Sequence, residues 1–156
     1  MSKIQVVYWT QSGNTQAMAE AVGRGIEAAG KEAEVVDVST ADMDALKASS
    51  VFAMGCPAMG AEVLEEGEME PFVEEVEGFA AGKKIALFGS YGWGDGQWMR
   101  DWVDRMTSAG ATVVNGEGVI CQEAPDDDAA AACESLGKQL AGMYCLLYTS
   151  DAADDR

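Results

Sequence analysis

The chain has 156 residues, 48 % hydrophobic and 24 % charged, the balance of one soluble domain with a well-buried core. Its formal net charge of −17 excludes nucleic acid, whose phosphates require neutralisation by Lys and Arg, and argues against anionic membrane surfaces. Histidine is absent, which removes the commonest general base, the Ser–His and Cys–His nucleophile pairs and the commonest zinc ligand.

In chain order, Ile4-Gln5-Val6-Val7-Tyr8-Trp9 is rich in β-branched and aromatic residues and predicts a buried first strand. Thr10-Gln11-Ser12-Gly13-Asn14-Thr15 follows as a turn. From Asn14, Met18, Val22, Ile26 and Ala29 recur at helical spacing, and Gly30 ends that helix. Val35–Val38 predicts a second strand, Asp42–Ala48 a short, weakly amphipathic segment, and Val51–Gly55 a third strand. Met69, Phe72, Val73 and Val76 mark a helix whose other face is glutamate, and Lys83–Gly89 is the fourth strand. Trp98, Trp102, Val103 and Met106 form the apolar face of the next helix. Thr112–Val114 and Gly118–Cys121 read as a fifth strand interrupted at Asn115-Gly116. Pro125-Asp126-Asp127-Asp128 opens the last helix with carboxylates at its positive end, and Ala132, Cys133, Leu136 and Leu140 face inward.

Strand and helix alternate five times, the pattern of an α/β layered sandwich with right-handed crossovers onto a parallel sheet. Residues 144–156 show no continuation of the preceding helical stripe, and their core is similar to a translated sequencing adapter. The domain is therefore expected over 1–143, with 144–156 a non-native or disordered tail. Cys56, Cys121, Cys133 and Cys145 include no Cys-x-x-Cys pair and read as free thiols in a reducing compartment, with no metal site. Met1-Ser2-Lys3 leads straight into the first strand, and no apolar run approaches the roughly 20 residues of a membrane span. A cytoplasmic protein without a signal peptide is expected.

In such folds ligands sit outside the carboxyl ends of the strands. Three loops fall there: Thr10–Thr15 after strand one, Cys56-Pro57-Ala58-Met59-Gly60-Ala61-Glu62 after strand three, and Ser90-Tyr91-Gly92-Trp93-Gly94-Asp95-Gly96 after strand four. The first joins a strand to a helix N-terminus, where unpaired N–H groups and the helix dipole favour an anion. It holds no Lys, unlike a nucleotide P-loop, so it suits a single phosphate held by neutral donors. The second offers a Met-Gly turn and the third an indole flanked by glycines. Each alone is an ordinary N-cap, turn or bend. Together at one rim they describe a site for an aromatic phosphate ester.

These residues resemble the short-chain flavodoxins of anaerobic bacteria over residues 3 to about 143. The likeness rests on Tyr8-Trp9-Thr10, Ser12-Gly13-Asn14-Thr15, Gly55–Gly60 and Leu87–Gly94. It implies a flavodoxin-like three-layer sandwich, with a five-stranded parallel sheet of order 2-1-3-4-5, helices on both faces and one non-covalent FMN. By the same resemblance Thr10, Ser12, Asn14 and Thr15, with the local amides of Gln11 and Gly13, would hold the phosphate. Trp93 would stack on the outer face of the flavin and Met59 on its inner face. Gly60 would turn its carbonyl to flavin N5–H after one-electron reduction, and Glu62 would accept the N3–H. Pro57, Ala58, Ala61, Ser90, Tyr91, Gly92 and Gly94 complete the expected cofactor contacts. Ala61 stands where close relatives often carry a polar residue, and Gln11 where some carry glycine.

The implied function is a low-potential one-electron carrier, not an enzyme, with no catalytic residue of its own. Negative charge opposes full reduction of the flavin: each carboxylate about 10 Å away costs an anion roughly 0.4 kcal/mol even in water. Glu62, Glu65, Glu66, Glu68, Glu70 and Asp95 are the nearest candidates by sequence, although most of the glutamate run suits a solvated helix face. The expected partners are redox proteins with basic docking surfaces, such as flavoprotein reductases and iron–sulfur oxidoreductases, met by a monomer. The alternative is a flavodoxin-like quinone or NAD(P)H reductase, for which no added substrate segment is visible. A signalling receiver domain shares the topology but needs acidic residues after strand one, Asp after strand three and Lys after strand four. This chain has Thr10-Gln11, Cys56-Pro57 and Ser90-Tyr91 at those places.

Overall fold

Every residue of Ile4–Tyr8 is buried, and this segment forms β1 at the inside of a parallel sheet. The computed structural model describes residues 3–60 and 62–154, with side chains through residue 144. The elements are β1 (Ile4–Tyr8), α1 (Asn14–Ala28), β2 (Ala33–Asp37), α2 (Met43–Ala48), β3 (Val51–Gly55), α3 (Met69–Glu77), β4 (Lys84–Tyr91), α4 (Gln97–Ser108), β5 (Thr112–Val113), β6 (Val119–Gln122) and α5 (Asp127–Asp154). Strand order is β2-β1-β3-β4-β5, with β6 also on β4 and every pairing parallel.

The expected fifth strand is thus two pieces in one lane. Thr112 and Val113 pair with Lys84 and Ile85, and Val119–Gln122 pair with Phe88–Tyr91. A 3₁₀ turn over Val114–Gly116 separates them, with Asn115 at φ 66 and Gly116 at φ 74, values that expel both residues from a strand. The short segment predicted at Asp42–Ala48 is a helix that Asp42 caps through the Ala45 N–H at 3.2 Å.

Period-two alternation gives the sheet two apolar faces. Val7, Phe52, Met54, Ile85 and Leu87 join Met69, Val73, Trp98, Trp102 and Met106 in one core layer. Ile4, Val6, Ala53, Ala86 and Phe88 join Met18, Val22, Ile26, Cys133, Leu136 and Leu140 in the other. On that second face α1 and α5 approach until their backbones touch. A Cβ at Gly137 would lie 2.1 Å from the Val22 carbonyl oxygen, and one at Gly25 would lie 1.9 Å from that of Glu134. This is the three-layer sandwich expected, with the split of the fifth strand as its one irregularity.

The expected tail falls partly on α5, whose backbone runs to Asp154, and partly outside the described residues. Among the described residues no helix is long and apolar enough to cross a membrane, and no group of three or more acidic, Cys or His side chains could hold a metal. Cys56 and Cys133 are buried and Cys121 half-buried, all without a disulfide. Cys145 lies where side chains are not described.

Candidate functional site

Parallel strands bring the ends of β1, β3 and β4 to one rim, at Tyr8, Gly55 and Phe88 in mutual register. Close approach there demands small residues. A Cβ on Gly55 would strike the Phe88 ring at 2.0 Å, and one on Gly89 the Cys56 carbonyl oxygen at 2.2 Å. Above this floor opens a cavity of ≈ 180 Å³, walled by Thr10, Gln11, Ser12, Asn14 and Thr15, by Pro57 and Ala58, and by Ser90, Tyr91 and Gly92. The structure therefore brings together half of the residues of the three predicted loops.

The end of α1 in this cavity is chemically distinctive. Asp42 caps α2 and the Asp126 carboxylate accepts from Ala129 N–H at the start of α5. The Glu65 carboxylate accepts from Gly67, Glu68 and Met69 N–H at the start of α3, and Glu62 from Gln97 N–H at the start of α4. Among the described residues α1 alone has no carboxylate on its N-terminal amides; its N-cap is Gly13 in the left-handed region at φ 95. The N–H groups of its first turn have no intrahelical acceptor and face the cavity end of the helix. Thr10 Oγ1 instead accepts from Gly13 N–H at 3.0 Å, which fixes the loop and leaves those donors open. Behind them Thr15 and Ser90, both buried, share a hydroxyl–hydroxyl bond at 3.1 Å that ties the first loop to the third. The result is a nest of neutral donors with no cation in its wall, the chemistry of a site for one phosphate and adjoining hydroxyls.

Met59, Gly60 and Trp93 lie outside the cavity at its open rim. Trp93 is 62 % exposed, a large apolar surface left uncovered. Gly60 is exposed, with nothing within 4 Å of a Cβ placed on it, and its backbone lies outside the left-handed region. Gly94 is in that region at φ 88, and a Cβ there would meet the Glu62 carboxylate. Glu62 itself sits at φ 54 and spends its carboxylate on Gln97 N–H at 3.1 Å, bridging the second loop to α4. Ala61 lies outside the described residues.

Sequence reading missed four features of this rim. The loop after β6 closes the site: Glu123 lines the cavity and donates its N–H to the Tyr91 carbonyl at 2.8 Å, and Gln122 Nε2 donates to the Gly92 carbonyl. A fourth strand-end loop was implied by the alternation itself. The Glu65 cap was hidden inside the glutamate run. Burial alone would raise its carboxyl pKa, but the Met69, Glu68 and Gly67 amides outweigh that and hold it below the usual value. Cys56, beneath the second loop, accepts from Glu65 N–H and is pushed up to about 12 by burial, so it is an inert thiol. Trp98, read only as a helix face, donates its indole N–H to the Cys56 carbonyl at 3.0 Å.

Comparison with known proteins agrees with this geometry. The chain matches the family model described as flavodoxin over residues 6–136. It is 46 % identical over 140 residues to a flavodoxin of Clostridium beijerinckii, covering 90 % of this chain and all of that one. It is 41 % identical over 138 residues to a flavodoxin of Megasphaera elsdenii, covering 88 % of this chain and 98 % of that one. The solution structure of the two-electron reduced Megasphaera elsdenii protein superposes with a TM-score of 0.82, over 89 % of this chain and 98 % of that one.

Proposed function

This chain belongs to the flavodoxin family of FMN-binding electron carriers, and on that footing we propose which of its residues hold the cofactor and how its surface is used. It is an electron-transfer protein and not an enzyme. Bound FMN supplies the redox centre, accepting and releasing electrons one at a time. The residues present fit that group. The single observation that carries the reading is the uncapped N-terminus of α1, opening into a cation-free cavity beside an exposed indole.

The first-turn amides of α1, with the hydroxyls and amides of Thr10, Gln11, Ser12, Gly13, Asn14 and Thr15, take the phosphate. Pro57, Ala58, Ser90, Tyr91 and Gly92 wall the chain between phosphate and ring. Trp93 would cover one face of the ring and Met59 the other, excluding water from both. Gly60 offers a peptide that can turn its carbonyl toward the ring edge, because no side chain or neighbour hinders it. Glu62, whose carboxylate accepts from Gln97 N–H through one oxygen, would accept the ring N–H on the other. Arg100, four residues after Gly96, is no counter-cation for the ring: it donates to the Asp95 carboxylate at 3.0 Å and to the Gln97 amide oxygen. Uncompensated carboxylates around the rim then hold the potential of the second electron low.

The chain's partners are redox proteins. Their docking faces are proposed to be basic, as on flavoprotein reductases and iron–sulfur oxidoreductases, because a net charge of −17 steers such surfaces toward the acidic rim. A cytoplasmic monomer with a domain ending near residue 143 belongs to the same reading. Titration of the apoprotein with FMN, followed by stepwise reduction in an absorbance cell, tests it. One FMN per chain and two resolved one-electron steps are expected. A protein that ignores FMN overturns the assignment, and bleaching of the bound flavin by NADPH alone marks a reductase instead.

A further inference from the structure

We propose that Trp98 is a positioning residue for the flavin: the first turn of α4 grips both ends of the Pro57–Glu62 turn and so sets the redox potentials. The inference rests on the reading above that this turn faces FMN. At one end, the buried Trp98 indole donates to the carbonyl of Cys56, the residue just before Pro57, at 3.0 Å. At the other end, the adjacent Gln97 N–H donates to the Glu62 carboxylate at 3.1 Å. Between these anchors backbone bonds close the turn. Glu62 N–H donates to the Met59 carbonyl at 2.7 Å, Met59 N–H to the Val63 carbonyl at 2.9 Å and Ala58 N–H to the Ser90 carbonyl at 3.0 Å. Gly60 has open space around it. A peptide that must reorient between two fixed points has its reach decided by those points.

The same indole also reaches the third loop. Its ring lies 5.7 Å from that of Tyr91 at 50°, and a Cβ on Gly89 would stand 3.0 Å from Trp98 Cζ2. Trp98 therefore touches the second and third loops without lining the FMN cavity itself. One turn further along α4, Trp102 is equally buried yet its Nε1 finds no partner. Packing in this layer thus does not by itself supply an acceptor. The Trp98 bond is made because the loop's carbonyl is brought to it, and Trp102 provides an internal control.

The experiment compares wild type, Trp98→Phe and Trp102→Phe, measuring FMN dissociation constants and both one-electron midpoint potentials. Trp98→Phe keeps an apolar ring but leaves the Cys56 carbonyl without its donor. It should raise the FMN dissociation constant about tenfold, the cost of re-ordering roughly one backbone residue of the freed turn on binding, and shift the potentials. Trp102→Phe should leave the potentials at their wild-type values. Wild type that fails to bind FMN would overturn the site assignment. Wild type that binds while Trp98→Phe keeps wild-type potentials would overturn only the positioning role. If Trp98→Phe does not fold, hydrogen exchange on wild-type apoprotein in sub-denaturing urea decides instead. The Trp98 indole proton and the amides of Ala58 and Glu62 should share one opening free energy and one urea dependence; independent openings would refute the grip.

Discussion

Replacing Gly60 with alanine separates two costs that are usually confounded. In the structure Gly60 is exposed, sits outside the left-handed region, and has nothing within 4 Å of an added Cβ. Gly60→Ala should therefore fold normally. Apoprotein stability should be unchanged or higher by up to about 1 kcal/mol, because alanine restricts the unfolded chain. The cost arises only when the peptide turns its carbonyl toward the reduced flavin and the residue must visit a left-handed conformation. For an L side chain that conformation costs about 1–2 kcal/mol. At ~59 mV per 1.4 kcal/mol for one electron, this is roughly 40–90 mV on each step that gains or loses the turned conformation. Spectroelectrochemistry on wild type and variant should show the two midpoint potentials moving closer together, with urea unfolding of the two apoproteins nearly coincident. Unchanged potentials would refute the turning peptide. A large loss of apoprotein stability would refute the claim that Gly60 is unhindered.

Two further outcomes follow from named contacts. Thr15→Val removes the hydroxyl bonded to Ser90 Oγ at the back of the cavity and should weaken FMN binding by about 1 kcal/mol, roughly fivefold; combined with Ser90→Ala, the two losses should be less than additive in a fluorescence titration. The Glu65 carboxyl, held below its ordinary value by three amides, stabilises the folded state fully above the unfolded carboxyl pKa and loses that contribution as pH falls through the lower folded one. Glu65→Gln should thus cost about 1 kcal/mol in urea unfolding at pH 7, and the difference from wild type should fade in acid. A difference that persists or widens on acidification would refute the cap.

The element order was legible because each strand and helix carries its own period, and burial in this fold follows that period. Thr10–Thr15 could be read as an anion turn because a strand-to-helix junction without Lys has few chemical uses. Glu62 and Glu65 were harder. A glutamate run looks like solvated surface, and only the folded chain shows that these two carboxylates terminate α4 and α3, whose N-terminal amides they satisfy. Trp98 and Trp102 share one apolar face in sequence, yet only Trp98 meets a carbonyl.

By itself, then, the sequence determined the layers, the strand-end rim, the uncharged Thr10–Thr15 turn and the strongly acidic balance of the chain, since these depend on residue type and local spacing. Tertiary structure alone decided the remote cap, Glu62 on α4, and the cavity into which the open end of α1 faces. Four of the five helices find a carboxylate at their N-termini, α4 from Glu62 on a distant segment and the other three from their own flanking residues, while α1 does not. A cap three or four residues away is written in the local sequence, but a pairing such as Glu62 with Gln97 joins groups remote in the chain, and no local pattern records it.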